Sequence, residues 1–155
     1  MRNLLRQPRC LALAASIACF VAACCSPALL FAHDPPVRGI TTLVWGWWGL
    51  AKGDFPWLAN PIYFGALALA WKKKYLLAMA MSAVAISLGL RSLQVKEWFY
   101  SEAGGTPIAA LGIGFRFWIA SFAVLFVGAA LLQWVVRPRT GPPAQPPPWG
   151  SSARR

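Results

Sequence analysis

Very few residues of this chain belong to types that perform catalysis or bind metal ions. The chain has a single histidine, His33, and four carboxylates: Asp34, Asp54, Glu97 and Glu102. An intramembrane enzyme needs a nucleophile beside a base, or a cluster of metal ligands. The serines in apolar stretches have no histidine or acid at a comparable depth, and no Cys/His spacing of a zinc site occurs. The sequence therefore predicts a protein that is not an enzyme and that holds no cofactor and no metal ion.

The four cysteines all lie in one apolar stretch, at positions 10, 19, 24 and 25. Because no predicted loop contains a cysteine to pair with them, we interpret them as small apolar residues. Val21-Ala22-Ala23-Cys24 resembles a bacterial lipobox, whose cysteine is acylated. The stretch covers residues 10–32 and exceeds the roughly 7–15 residues of a signal-peptide core, and no small-residue cleavage pattern follows it. We favour a retained helix; cleavage as a signal peptide and lipidation at Cys24 stay open.

A proline interrupts the second apolar stretch. Pro61 lacks a backbone donor and biases Asn60 away from the α-helical region, which predicts a broken helix in the outer half of a membrane. Such a break must be satisfied by neighbouring groups. We interpret Asn60 as a hydrogen-bonding group between helices, with a coordination or gating point and a simple helix start as alternatives.

Two arginines lie at the ends of apolar stretches. Counting back at about 1.5 Å per residue from the aromatic residues at the opposite end of each stretch places Arg91 and Arg116 near the outer interface. We interpret both as interfacial cations that extend toward water. The alternative is a cation that faces the bundle interior and pairs with Glu97 or Glu102.

The composition is that of a membrane protein. Hydrophobic residues make up 58% of the 155 residues and charged residues only 12%, whereas soluble chains are about a quarter charged. Lysine and arginine number 15 against four acids, a net charge of +11. These cations flank apolar stretches in short segments, so we expect them to orient the chain and contact anionic lipid headgroups, and we expect no nucleic-acid binding.

Four apolar stretches are candidates for transmembrane helices, because a span needs roughly 20 residues. They cover residues 10–32, 55–71, 75–93 and 117–136. We predict an all-α membrane protein whose single transmembrane domain is residues 1–136. The segment 40–51 carries three tryptophans but is too short to cross, so it predicts a short helix at the outer interface. Gly-Gly and Thr-Pro pairs predict turns in a loop at 94–107, and residues 137–155 predict a disordered, proline-rich cytoplasmic tail.

The charges partition between the two sides of such a four-helix topology. Ten cations precede the first span, separate the second from the third, or follow the fourth: Arg2, Arg6, Arg9, Lys72, Lys73, Lys74, Arg137, Arg139, Arg154 and Arg155. All four acids fall on the other side. By the positive-inside rule both termini lie in the cytoplasm, and the protein is a multi-pass protein of a bacterial inner membrane.

The chain also resembles a family of small uncharacterised bacterial multi-pass membrane proteins. The residues that carry the resemblance are Gly46-Trp47-Trp48-Gly49-Leu50, Trp57-Leu58-Ala59-Asn60-Pro61, Glu102-Ala103-Gly104-Gly105, and an aromatic-rich last span through Ala120-Ser121-Phe122. The similarity covers about residues 40–130. It implies a membrane setting and no particular activity.

Two functions from different classes follow. The first is a structural or accessory membrane protein that acts through unknown membrane-protein partners. A second copy of the chain, in a homo-oligomer, is one possible partner. Small residues four apart, Ala78/Ser82 and Ala85/Gly89, predict close helix contacts of this kind. The alternative is a homo-oligomeric small pore or transporter component, lined by Asn60 or Arg116.

Overall fold

The fold, described by a computed structural model for residues 6–101 and 104–136, is mostly helical. Three helices are long and apolar enough to cross a membrane: Pro8–Cys25, Tyr75–Gln94 and Ile113–Val136. The helical content agrees with the predicted all-α class, and these helices indicate a membrane protein. Two small sheets, which the sequence did not predict, lie at one end of the helices.

Four helices pack side by side: α1 (Arg6–Cys25), α3 (Ala59–Trp71), α4 (Tyr75–Leu90) and α5 (Ile113–Val136). α5 packs along α1 on one side and along α4 on the other, and α4 packs along α3. We call the end with residues 72–74 the lysine end; there the Arg9 guanidinium lies 5.4 Å from the centre of the Trp71 ring. We call the opposite end, where the strands lie, the sheet end.

The turn between α3 and α4 is a tight helix C-cap. The Lys74 N–H donates to the Leu69 carbonyl and the Lys73 N–H to the Ala70 carbonyl, which is the bond pair of a Schellman motif. Lys73 occupies the left-handed position of that motif, with φ 63°. Glycine is the usual residue there, because a Cβ is disfavoured at positive φ. The three lysines therefore reverse the chain within a single short turn.

The interior of the bundle combines many alanines with a few large rings. Tyr63 is completely buried, and its ring centre lies 5.0 Å from that of Phe20 and 4.9 Å from that of Phe122. Six buried alanines belong to the same core cluster: Ala59, Ala66, Ala70, Ala78, Ala85 and Ala129. Small side chains let helix backbones approach closely, which is how helices associate in lipid. The large apolar residues that remain exposed, such as Leu11, Leu76 and Leu131, lie on the outside of the bundle.

The first helix ends at Cys25, so the predicted extension to residue 32 is wrong. Ser26 still donates its N–H to the end of α1, but Pro27 has no N–H and cannot continue the helix. The chain instead forms strand β1 (Pro27–Leu30), which pairs antiparallel with β2 (Val37–Arg38) and with β5 (Ala110–Leu111). A Cβ at Gly112 would clash with the Pro27 carbonyl oxygen, so this glycine permits the close approach of the two segments.

The predicted loop 94–107 is largely a β-hairpin. Strand β3 (Glu97–Ser101) pairs antiparallel with β4 (Gly104–Pro107). β3 contains three consecutive aromatic residues, Trp98-Phe99-Tyr100, and aromatic residues favour strands. The last helix begins at Ile113 rather than at residue 117, and the second predicted span begins as a 3-10 turn, Pro56–Leu58, before α3 starts at Ala59. The third ends near its predicted limit, with a 3-10 turn, Arg91–Gln94, after α4.

The segment predicted at 40–51 is helical, as α2 (Gly39–Trp45) followed by a 3-10 segment, Gly46–Lys52. It packs at the sheet end against α1 and the turn at Pro56–Leu58, and Trp45, Trp47 and Trp48 are exposed. The predicted disordered tail, residues 137–155, and Glu102 lie outside the described residues.

Candidate functional site

A cavity of about 140 Å³ lies at the sheet end, where α1 ends and α3 and α5 begin. The other walls come from α2, the 3-10 segment after it and strand β3. A cavity of about 150 Å³ in another protein accommodates benzene. The space is therefore large enough for one ring or a short branched alkyl group. We call it the aromatic cavity.

The described lining of the aromatic cavity contains many tryptophans and two acidic side chains, but no basic one. Five of the nine tryptophans of the chain line it: Trp45, Trp48, Trp57, Trp98 and Trp118. Asp54 and Glu97 line it as well, and no described lining residue is lysine, arginine or histidine. Half of the four carboxylates in the chain thus meet at one cavity, although cations outnumber acids in the sequence by 15 to 4.

Local backbone geometry places each of these two carboxylates. Gly53, with φ 86°, ends the 3-10 segment in a left-handed conformation, and the Asp54 N–H then donates to the Gly49 carbonyl at 2.9 Å. Glu97 begins strand β3 and pairs with Pro107 of β4, and a Cβ at the nearby Gly105 would come within 2.6 Å of the Glu97 Oε2 atom. A side chain at position 105 would therefore displace the carboxylate of Glu97.

Asn60 joins three elements at the base of the aromatic cavity. Its Oδ1 accepts a hydrogen bond from the indole Nε1–H of Trp118 in α5 at 2.8 Å, and its Nδ2 donates to the Trp57 carbonyl at 3.1 Å. The indole of Trp57 donates in turn to the Leu43 carbonyl of α2 at 2.8 Å. Asn60 is only 5% exposed, and an unsatisfied amide at such a site costs about 1–3 kcal/mol. These bonds fix α2 and α5 to the start of α3.

A second set of hydrogen bonds continues from Trp118 into the centre of the bundle. The Ser121 hydroxyl donates to the Trp118 carbonyl at 2.7 Å, and the Ser16 hydroxyl donates to the Ser121 carbonyl at 2.8 Å. A hydroxyl has one proton, so the Tyr63 hydroxyl is the donor in its 2.7 Å bond to the Ser16 Oγ. Ser16, Tyr63 and Ser121 are completely buried. Hydrogen bonds thus connect these three residues across α1, α3 and α5.

The predicted site residues near α3 have separate structural roles. Pro61 lies in the first turn of α3, where backbone N–H groups have no partner inside the helix. The predicted break in the helix at Pro61 is therefore wrong. Asn60 forms the interhelical hydrogen bond described above. A gating or coordinating role for Asn60 stays a prediction.

The predicted charged residues do not meet inside the bundle. Arg91, Arg116 and Glu97 are all exposed at the sheet end, and among the described residues neither arginine forms an ion pair with Glu97. Arg91 begins the 3-10 turn after α4 and Arg116 lies in the first turn of α5. The alternative in which an arginine faces the bundle interior and pairs with Glu97 or Glu102 stays a prediction. Cys24 is half-buried in the last turn of α1 and packs against the core. The four cysteines are free thiols, and lipidation at Cys24 stays a prediction.

Apart from Asn60, the residues that build the site were not predicted from the sequence. The one feature of the sequence that could have indicated Ser16 and Tyr63 is a side-chain hydroxyl within an apolar helix. The sequence does not show, however, which face of each helix points toward the core. Asp54 was counted only as a charge outside the spans. Neither Trp57 nor Trp118 was predicted as a site residue, although the indole N–H of Trp57 donates to the Leu43 carbonyl and that of Trp118 donates to Asn60.

The described lining provides an apolar space that also contains two carboxylates. Within residues 6–101 and 104–136, no group of three or more His, Cys, Asp or Glu side chains is placed to hold a metal ion. No protein-family model, curated protein or solved structure matches the chain. The resemblance to small bacterial multi-pass membrane proteins consequently stays a prediction, and the functional argument rests on the geometry.

Proposed function

We propose that this chain is an accessory or structural protein of a bacterial inner membrane that acts through a membrane-protein partner. In this proposal α1, α3, α4 and α5 all span the bilayer, with the lysine end and both termini in the cytoplasm. The charge pattern supports the orientation: ten of the 15 cations precede the first span, separate the second from the third or follow the fourth, whereas five cations and all four acids fall on the other side of a four-span topology.

The short helix α3 is long enough to span the bilayer when the turn before it is included. Its 13 residues rise about 20 Å, and the three residues of the preceding 3-10 turn add about 6 Å. Together they approach the hydrocarbon thickness of about 30 Å. A reporter fused after Lys74 tests the topology: cytoplasmic activity is expected, and periplasmic activity would contradict four spans.

The accessory role rests on small residues that are exposed on the outside of the bundle. The predicted pairs Ala78/Ser82 and Ala85/Gly89 are buried, so their close contacts are made within the chain. Further small residues four apart remain exposed, Ala14/Ala18 on α1 and Ala83/Ser87 on α4. Ser87 already donates its hydroxyl to the Ala83 carbonyl, so this face presents no unsatisfied hydroxyl proton. In lipid, such small-residue faces are where another helix packs closely.

Crosslinking and purification from native membranes test the proposal. Ala83→Leu should reduce the recovered partner about tenfold, equivalent to about 1.4 kcal/mol, because overpacking a helix contact costs about 1–3 kcal/mol. Val84→Leu is the matched control, since Val84 is 49% exposed and branched already. Equal recovery with both variants would contradict the proposal. Solute flux in liposomes that Asn60→Leu abolishes would favour the pore instead.

A further inference from the structure

We propose that the aromatic cavity binds a small lipophilic ammonium compound: an apolar ring or branched alkyl body that carries one positively charged nitrogen. This ligand site is independent of the accessory role and of the partner that the exposed helices bind. The body of the ligand lies among the tryptophans, and the ammonium lies toward Asp54 and Glu97.

The charge of the lining selects a cation. Two carboxylates, Asp54 and Glu97, line the cavity, and none of the lining residues that the structure describes is lysine, arginine or histidine. An ammonium group in the cavity brings a positive charge to these two carboxylates. The tryptophan faces reinforce the preference, because the ring quadrupole attracts a cation within about 6 Å of the ring centre.

The size and polarity of the cavity define the rest of the ligand. About 140 Å³ holds one ring or a compact alkyl group and excludes a drug-sized molecule, which needs roughly 300 Å³ or more. A phospholipid headgroup with an ammonium is the other source of the same cation. Its phosphate, however, would meet no described basic lining residue, so the structure favours a free amine over a lipid headgroup.

The test is calorimetric titration of the full-length protein in a mild detergent with three probes that share a phenyl ring. They are phenethylammonium, its neutral counterpart 2-phenylethanol, and the anion 3-phenylpropionate. We expect saturable binding of the ammonium at least about fivefold tighter than that of the alcohol, and no binding of the anion. Asp54→Asn and Glu97→Gln should each weaken ammonium binding about threefold to tenfold and leave alcohol binding within about twofold.

Asp34→Asn is the control, because it removes the same charge from an exposed residue outside the lining. It should change the affinity for neither probe, and all three variants should unfold at the temperature of the parent protein. Absence of saturable ammonium binding would overturn the proposal, as would equal binding of ammonium and alcohol. An equal loss in Asp34→Asn would show general electrostatic attraction rather than a site. Binding of phosphoethanolamine as tight as that of phenethylammonium would assign a lipid headgroup and overturn the free amine.

Discussion

Replacing Ser16 by alanine should destabilise the bundle by about 1 kcal/mol. The substitution removes the oxygen that accepts the Tyr63 hydroxyl proton at 2.7 Å, and Tyr63 is completely buried. An orphaned buried donor costs about 1–3 kcal/mol, whereas side-chain hydrogen bonds in one membrane protein averaged about 0.6 kcal/mol, with a maximum of about 1.7. The Ser121 hydroxyl also lies beside Tyr63 and can accept its hydroxyl proton in part. The expected loss of stability is therefore at the lower end of the range of about 1–3 kcal/mol.

A double-mutant cycle isolates the bond. Tyr63→Phe removes the donor and leaves no orphaned proton, so the double variant Ser16→Ala/Tyr63→Phe should be about 0.6 kcal/mol more stable than the sum of the single effects predicts. The assay is equilibrium unfolding in mixed micelles with rising dodecyl sulfate, followed by tryptophan fluorescence.

Ser82→Ala is the matched control for this cycle. Ser82 is equally buried, but its hydroxyl donates to the Ala78 carbonyl of its own helix, so its removal orphans no donor. Its effect should stay within about 0.5 kcal/mol. Additive single effects at Ser16 and Tyr63, or an equal loss in Ser82→Ala, would refute the reasoning that the bond between α1 and α3 stabilises the bundle.

Two further predictions concern the backbone. Gly112→Ala should lower the free energy of unfolding by about 1–3 kcal/mol, because the new Cβ meets the Pro27 carbonyl. Gly65→Ala is its control and should lower the free energy of unfolding by less than about 1 kcal/mol, because there the Cβ meets only the flexible end of Met81. Lys73→Gly should raise the free energy of unfolding by about 0.5–1 kcal/mol by relieving the left-handed φ, whereas Lys72→Gly, at φ −75°, should lower it. The same micelle assay measures both pairs, and a reversed order within either pair would contradict the geometry.

Much of the membrane character was predictable because it depends on local composition. The length and hydropathy of a stretch decide whether a helix can cross a bilayer, and three of the four predicted stretches overlap the long apolar helices observed. The helix start near Asn60 was harder to predict. A proline inside a helix breaks it, whereas a proline in the first turn removes no intrahelical hydrogen bond. The sequence does not show where the first turn lies, so it does not distinguish a broken helix from a helix start.

The candidate site was not predictable, because non-local contacts form it. Leu29 pairs with Leu111 and Ser16 bonds to Tyr63, and no local pattern specifies which distant residues meet. The membrane character, the scarcity of reactive groups and the distribution of charge follow from the sequence itself, since each depends on residue type and spacing along the chain. Only the tertiary structure decided that Asp54 and Glu97 share one tryptophan-lined cavity, because their convergence requires α2, the start of α3 and the hairpin to pack at the same end of the bundle.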